Sequence, residues 1–525
     1  MVKNETYEYL SKHLSEAMEK EFVATRKPEY RTKTLVGLGR NGKAWSSWVE
    51  TMLTDLFEQF LCLDKEKRVL VGEDGVTLYA YNGAFFEQID VKAEKFMAEL
   101  VKRTMRALKI GSMYVQKCPV DIAKSVVSTL TSSDEYLYKP DRRYIAFTNY
   151  IFDLQTSKPK SFNIKYNPYL VLDIEYKDKD TCYKEAAEKY GIGDNPCRLW
   201  DSKLTGKNNG NLPGIIPDSE IRDAFQQWCG SLLVDPDVHA REYVCYLVGP
   251  GANGKSVLAN VISKVFGNEY FSHFTPRQLF KDSDRGANIA ALKGKIANLC
   301  DDLSAVDVSG GDYKRFASGQ AFEARVPYSK APIQVYAPPM LCCANELPEQ
   351  RDNSKGNERR QLILHTTTYS FLGDEQDTDL VSKLSTPEAR LYVFHWIYEG
   401  YRKVMKNNGR IKLGQRVVDA INRVMASSNN MRRWWGERDY VAVLSPVDKD
   451  PRWKSIKSLY EDYVDFCKAE GSEARQRKDI STFLRGKGYE NDKGVRRIAS
   501  GIEYCVGKLG YDTTEDGELM CGVYI

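Results

Sequence analysis

Residues 249–256 read Gly249-Pro250-Gly251-Ala252-Asn253-Gly254-Lys255-Ser256, and every position of the pattern G-x-x-x-x-G-K-[ST] is filled. Each residue type in that pattern has a chemical task. Glycines at 249, 251 and 254 let backbone N–H groups turn inward around phosphate oxygens. Lys255 neutralises charge on the β and γ groups, and the Ser256 hydroxyl is suited to ligate Mg²⁺. The flanks agree with this chemistry. Tyr243 to Val248 is a continuous apolar run of buried-strand type, and Val257 to Phe266 has a helical pattern closed by Gly267. A glycine-rich loop between strand and helix, with Asn253 inside it and Val257 in the first helical turn, predicts that the chain binds a nucleoside triphosphate.

Three further groups could act on such a ligand. Lys295 to Asp302 reads as a strand that ends in two carboxylates, Asp301 and Asp302. One carboxylate can hold a hydrated Mg²⁺ while the next orients or deprotonates the attacking water. Asn345 closes the apolar run Val335–Ala344, where an amide can hold water against a terminal phosphate. Arg359-Arg360 follows, and an arginine at a subunit edge can stabilise transition-state charge in a neighbour's site. Between these groups, Phe322 to Val335 looks like two strands around a tip carrying Tyr328 and Lys330, which suits stacking on bases and neutralising phosphates. Each feature also has a plainer structural reading: loop-capping aspartates, a turn-forming asparagine, surface arginines and a solvent-facing hairpin.

Composition narrows the class without naming it. With 525 residues, 42% hydrophobic and 28% charged, the chain has the make-up of a globular protein of three or four domains. No apolar run reaches membrane-spanning length and the first residues lack a signal-peptide core, so no membrane partner is expected. The 12 cysteines contain no C-x-x-C pair, which argues for packed, reduced thiols rather than a zinc site. A net charge of +4 does not by itself imply a nucleic-acid partner.

Stepping outward, residues 1–60 read as helix, basic connector, helix. From Arg26 to Trp48 there are six basic residues and one acid, with a literal G-x-G-x-x-G at Gly37–Gly42. That motif lacks a strand before it and a ribose-binding acid after it, so no dinucleotide site is assigned. Hairpin signals occupy 69–88, helical patterns 91–108 and 119–130, and short strands 143–175. The Gly-, Asn- and Pro-rich stretch 192–217 is the expected domain boundary. Alternating strands and helices beyond it predict a mostly parallel α/β sheet.

The ordered motifs resemble a superfamily III helicase of the phage and plasmid branch related to poxvirus primase–helicases. The carrying residues are Asn253-Gly254-Lys255-Ser256, Asp301-Asp302, Lys314…Ser318-Gly319…Ala324-Arg325, Asn345…Pro348 and Arg359-Arg360. Upstream, Arg143 to Leu154 is similar to the segment before the core, with Tyr150 where the family usually has Gly. Downstream, Phe394 to Gly400 matches a post-core helix. The resemblance implies ATP and Mg²⁺ as cofactors, a modified AAA+ core, and a ring, normally a hexamer, with ATP between subunits. It implies that Lys255 and Ser256 act in cis, that Asp301 holds the metal and that Asp302 replaces the usual water-activating Glu. Arg360 is the first choice for the trans-acting arginine and Arg359 the second. Lys330 rides a channel hairpin on single-stranded DNA, with Lys314, Arg325 and Tyr328 as further DNA contacts. No pair of strand-borne aspartates marks a primase site.

The expected organisation is a helical, basic segment (1–60), an N-terminal α+β domain (61–205), a P-loop AAA+-type helicase core (206–410) and a C-terminal helical linker with a winged-helix-like domain (411–525). The last carries eight basic residues and three acids between Arg475 and Arg497, a pattern that suits duplex DNA as well as a solvated face. The reading is a replicative helicase of a phage or mobile element, acting on single-stranded and forked DNA alongside a primase or other replication proteins. An origin-binding initiator that melts DNA without processive unwinding is the second reading, and a small-molecule phosphotransferase the third.

Overall fold

A computed structural model describes residues 4–25, 47–61, most of 67–437 and parts of 453–524. The basic connector 26–46 lies outside the described residues, as do Asp302, Arg325, Tyr328 and Lys330.

The first unit joins helices Asn4–Thr25 and Ser47–Leu61 to an antiparallel sheet of β1 (Val69–Val71), β2 (Leu78–Tyr81) and β3 (Phe86–Ile89), and to helices Ala93–Ala107 and Pro119–Thr131. Leu10, Leu14, Phe57, Val69, Phe96, Leu100 and Val126 share one core, so the expected division at 60/61 falls inside a packed body.

A second core begins at Ile145 and runs without a break to Ile421. It contains a four-stranded sheet in the order β6 (Lys158–Lys160), β5 (Ile151–Asp153), β4 (Asp141–Ala146), β7 (Pro168–Val171). It also contains helices Lys179–Tyr190 and Pro196–Thr205, with Trp200 fully buried. The expected boundary at 205/206 therefore also falls within a core. The Gly- and Asn-rich signal at 206–214 marks a surface loop, which composition alone does not separate from a linker.

The rest of this core is a parallel sheet ordered β14 (Gln361–His365), β8 (Val244–Val248), β13 (Met340–Ala344), β10 (Ala297–Cys300), β9 (Phe271–Ser272). β8 and β13 are buried at every residue, as central parallel strands covered on both faces must be. The apolar run Val335–Ala344 divides at Pro338-Pro339. Its first part is β12 (Ile333–Tyr336), which pairs antiparallel with β11 (Ala321–Ala324) to make the two strands of the expected hairpin. Helix Pro387–Lys406 crosses helix Ser219–Ser231 where Gly230 faces Gly400. A Cβ on Gly400 would stand 2.0 Å from the Gln226 carbonyl oxygen, which explains the small residue closing the Phe394–Gly400 run. A third, smaller core gathers Trp434, Trp435, Tyr463 and Ile480, followed by short strands to Tyr524.

Within the Arg143–Leu154 segment one buried charge is fully answered. Asp153 accepts from Arg143 Nε at 2.8 Å and Nη2 at 2.7 Å, and Lys160 Nζ lies 2.7 Å away. The Arg143 hydrogen bond holds the Asp153 carboxyl well below the usual carboxylate range, although burial opposes it. A depressed folded-state value makes this stabilisation present above the unfolded carboxylate value of about 3.9 and lost as pH falls below it. Asp153→Asn is expected to cost about 1–3 kcal/mol at neutral pH and to flatten the acid limb of the stability profile. Denaturant melts from pH 7 down to about pH 2 measure both.

Candidate functional site

Parallel strands end together. The register Cys300↔Cys342 and Ala344↔Val248 brings the C-terminal ends of β10, β13 and β8 to one edge of the sheet. The residues just beyond those ends are Asp301, Asn345 and Gly249, which the sequence places far apart. The edge opens into a cavity of about 420 Å³ whose wall includes Gly251, Asn253, Gly254, Lys255, Ser256, Val257, Asp301 and Asn345.

The loop is held by its own chain. Gly249 N donates to Ala344 O at 3.2 Å, tying the loop to β13. The Asn253 amide is buried; its Nδ2 donates to Thr366 Oγ1 at 2.6 Å and to Thr367 O at 3.1 Å. Phe371 N donates to Ala252 O at 2.8 Å, and Ser370 Oγ to Gly251 O at 2.8 Å. Thus the strip 366–371, immediately after β14, clamps the loop along its length. Gly249 must lack a side chain because a Cβ there would stand 2.3 Å from Thr366 Oγ1 and 2.5 Å from Asn253 Nδ2. Asn253 shapes the loop, and its amide nitrogen is committed to the clamp.

Lys255 opens helix Lys255–Phe266 and is nearly buried, at 7% exposure. Its ammonium lies 2.6 Å from Gly249 O, 2.7 Å from Pro250 O, 2.9 Å from Asn253 Oδ1 and 3.3 Å from Asn345 Oδ1. Lys255 and Asn345, read from sequence as separate candidates, are therefore in contact. Burial moves the lysine below its ordinary pKa. Beneath them, burial pushes the Cys343 thiol up to about 12, with the Asp301 charge adding to the effect. Ser256 is exposed at the helix start, and Asp301 is exposed at its strand end, 3.7 Å from His273 Nδ1.

A small cluster of backbone N–H groups, a lysine, a hydroxyl and a carboxylate is a set that can receive a polyphosphate with Mg²⁺. That ion characteristically takes one or two protein oxygens and completes its shell with phosphate and water. Among the described residues no group of three or more His, Cys, Asp or Glu could hold a metal by itself.

The remaining candidates lie elsewhere. Arg360 precedes β14 at the opposite end of the sheet from the loop; six residue steps along the five-residue strand put it about 20 Å from Thr366. It is half-buried, with Nε donating to Ser318 Oγ at 2.9 Å and Nη1 to Gly356 O. Arg359 beside it is exposed. Lys314 lies on helix Gly311–Ala317, next to Ser318 and the β11–β12 hairpin, so it shares the far end with the arginines. Sequence reasoning missed Thr366 and Thr367, and also Lys203, Ile215, Phe371, Glu375, Gln376, Asp377 and Leu380 in the cavity wall. The one local signal was the Thr366-Thr367-Thr368 run directly after an apolar strand.

Comparison with known proteins comes to bear on this geometry. A family of unknown function (DUF5906) matches residues 247–360, which includes the loop, Asp301, Asn345 and both arginines. A protein of Acanthamoeba polyphaga mimivirus named "Putative helicase L207/L206" is 29% identical over 192 residues, covering 35% of this chain and 19% of that protein. The chain thus spans about a fifth of that relative's length. Two apo structures of the NrS-1 C-terminal region overlay 87% of this chain at 11% and 10% identity, with TM-scores of 0.42 and 0.39 and 95% of each partner covered. Among the described residues no helix is long and apolar enough to cross a membrane.

The clamp makes a direct prediction. Asn253→Ala strands the Thr366 and Thr367 acceptors and should cost roughly 1–3 kcal/mol. Amide hydrogen exchange is expected to accelerate in both 249–256 and 366–371; a change confined to the first segment would contradict the clamp.

Proposed function

We propose that the chain is an ATP-dependent replicative DNA helicase of the superfamily III type, from a phage or mobile element, built on a P-loop AAA+-like core. The observation that carries this reading is the contact of Lys255 with Asn345 on the strand edge that also presents Asp301. Phosphate-binding, water-positioning and metal-holding chemistry then meet in one cavity. Lys255 balances the charge of the β and γ phosphates, and the loop N–H groups orient them. Ser256 and Asp301 would hold Mg²⁺, which would supply charge neutralisation at the phosphates. Asn345 orients the attacking water, and Asp302 takes its proton.

The mimivirus relative's name supports a helicase-type role. The placement of the arginines supports a shared site: at about 20 Å, neither can serve its own chain's loop. In a ring, normally hexameric, each would enter the neighbour's cavity. Arg360 would first have to release Ser318 and Gly356, so the exposed Arg359 takes precedence over the sequence-based order. Lys314 and strands β11 and β12 stand at that same far end; Arg325, Tyr328 and Lys330, which the sequence places between those strands, would meet single-stranded DNA. Strand displacement on a long duplex separates this reading from an initiator, which would stop after local melting.

Lys255→Ala is expected to abolish ATP hydrolysis and unwinding together. Retained unwinding would refute the mechanism. Wild-type ATPase per subunit should rise with protein concentration and with added single-stranded DNA. Mixing Lys255→Ala with Arg359→Ala, each inactive alone, should restore part of the activity, because some interfaces then pair an intact loop with an intact arginine. Phosphate binding raises the pKa of a lysine that burial has lowered, so binding takes up a proton wherever the free-state lysine has begun to lose it. ATP affinity should therefore fall as pH rises through the free-state value, below the ordinary 10.5. Calorimetric titrations from pH 7 to 10 in two buffers measure that proton uptake.

A further inference from the structure

The cavity lining also has an apolar part. One wall residue is Ile215, whose Cδ1 would lie 2.6 Å from a Cβ on Gly254, so the isoleucine rests on the loop itself. Phe371, the last residue of the clamp, and Leu380 line the same cavity. Apolar groups beside a polyphosphate site suit a flat, weakly polar ring.

Lys203 lines this cavity from helix Pro196–Thr205, outside the parallel sheet. It is fixed to the isoleucine wall, because Ile215 N donates to Lys203 O at 2.8 Å and Ile216 N to Leu204 O at 3.0 Å. Its side chain is half-buried and makes no ion pair among the described residues. Two of the three carboxylates that line the cavity have partners within the chain: Asp377 with Lys383 at 2.8 Å, and Glu375 with the Tyr369 hydroxyl at 2.5 Å. A half-buried ammonium with no ion-pair partner among the described residues, lining the same cavity as these apolar groups, is placed to donate to a ligand.

We infer that Lys203 is a nucleotide-binding residue that contacts the nucleobase, donating to a ring nitrogen or carbonyl oxygen on the base edge while Ile215, Phe371 and Leu380 pack the ring. This rests on the nucleotide reading of the site given above. It assigns part of base selection to a helix that precedes the glycine-rich loop by about fifty residues.

Binding of ATP and of inorganic tripolyphosphate, measured on the full chain with Mg²⁺ for wild type, Lys203→Ala and Lys203→Arg, tests the inference. Lys203→Ala should weaken ATP at least tenfold, the loss of one charge-assisted hydrogen bond, and leave tripolyphosphate affinity as in wild type. Lys203→Arg should recover part of the loss. The tripolyphosphate signal also reports that the variant's loop is intact. Equal weakening of both ligands would make Lys203 a phosphate contact and overturn the base assignment, as would no weakening of either. If the wild-type chain bound neither ligand, the nucleotide reading itself would fall. If wild type bound both and Lys203→Ala still bound both normally, only the present inference would.

Discussion

The constraint on which this molecule depends is the common register of its parallel strands. In an antiparallel sheet, consecutive strand ends alternate between two edges. Here β8, β13 and β10 all finish at one edge, so the residues after each finish there too. That alone brings Gly249, Asn345 and Asp301 together although nearly a hundred residues separate the first from the second. The same rule sends the residues before each strand to the other edge. Arg359 and Arg360, which precede β14, are therefore held away from the cavity by the length of the strand.

A second dependence is the clamp on the loop. A glycine-rich loop is costly to order, since glycine loses more backbone freedom than any other residue. The strip 366–371 meets that cost with side-chain and backbone hydrogen bonds from a neighbouring strand end, and Asn253 is the hub. The ammonium of Lys255 sits among carbonyl and amide oxygens of the same assembly, so the cation is positioned before any ligand arrives. Pre-ordering of this kind lowers the entropy that binding must overcome.

Two large cores organise the chain up to residue 421. The first gathers helices and a small sheet up to residue 136. The second extends across the stretch that reads as a linker and makes the helices before the loop part of the same body as the parallel sheet. This continuity lets Lys203 and Ile215 reach the cavity. It also explains why so much apolar and aromatic sequence, Trp200 and Trp228 among it, precedes the loop in residues that carry no motif.

Sequence by itself determined the loop, the strand before it, the helix after it and the acidic, amide and arginine positions downstream. Each is a local pattern of residue types over a few positions. It also suggested two strands within 322–335, on either side of a Tyr-Ser-Lys-Ala tip. Tertiary structure decided what those patterns could not carry. The Asn253–Thr366 bond joins residues 113 apart, and no periodicity announces it. The approach of Lys203 to the cavity depends on how one helix packs beside a loop, and the separation of the arginines from their own loop depends on strand direction. Hydrophobic spacing fixes what a segment becomes; contacts between distant segments fix what its side chains meet.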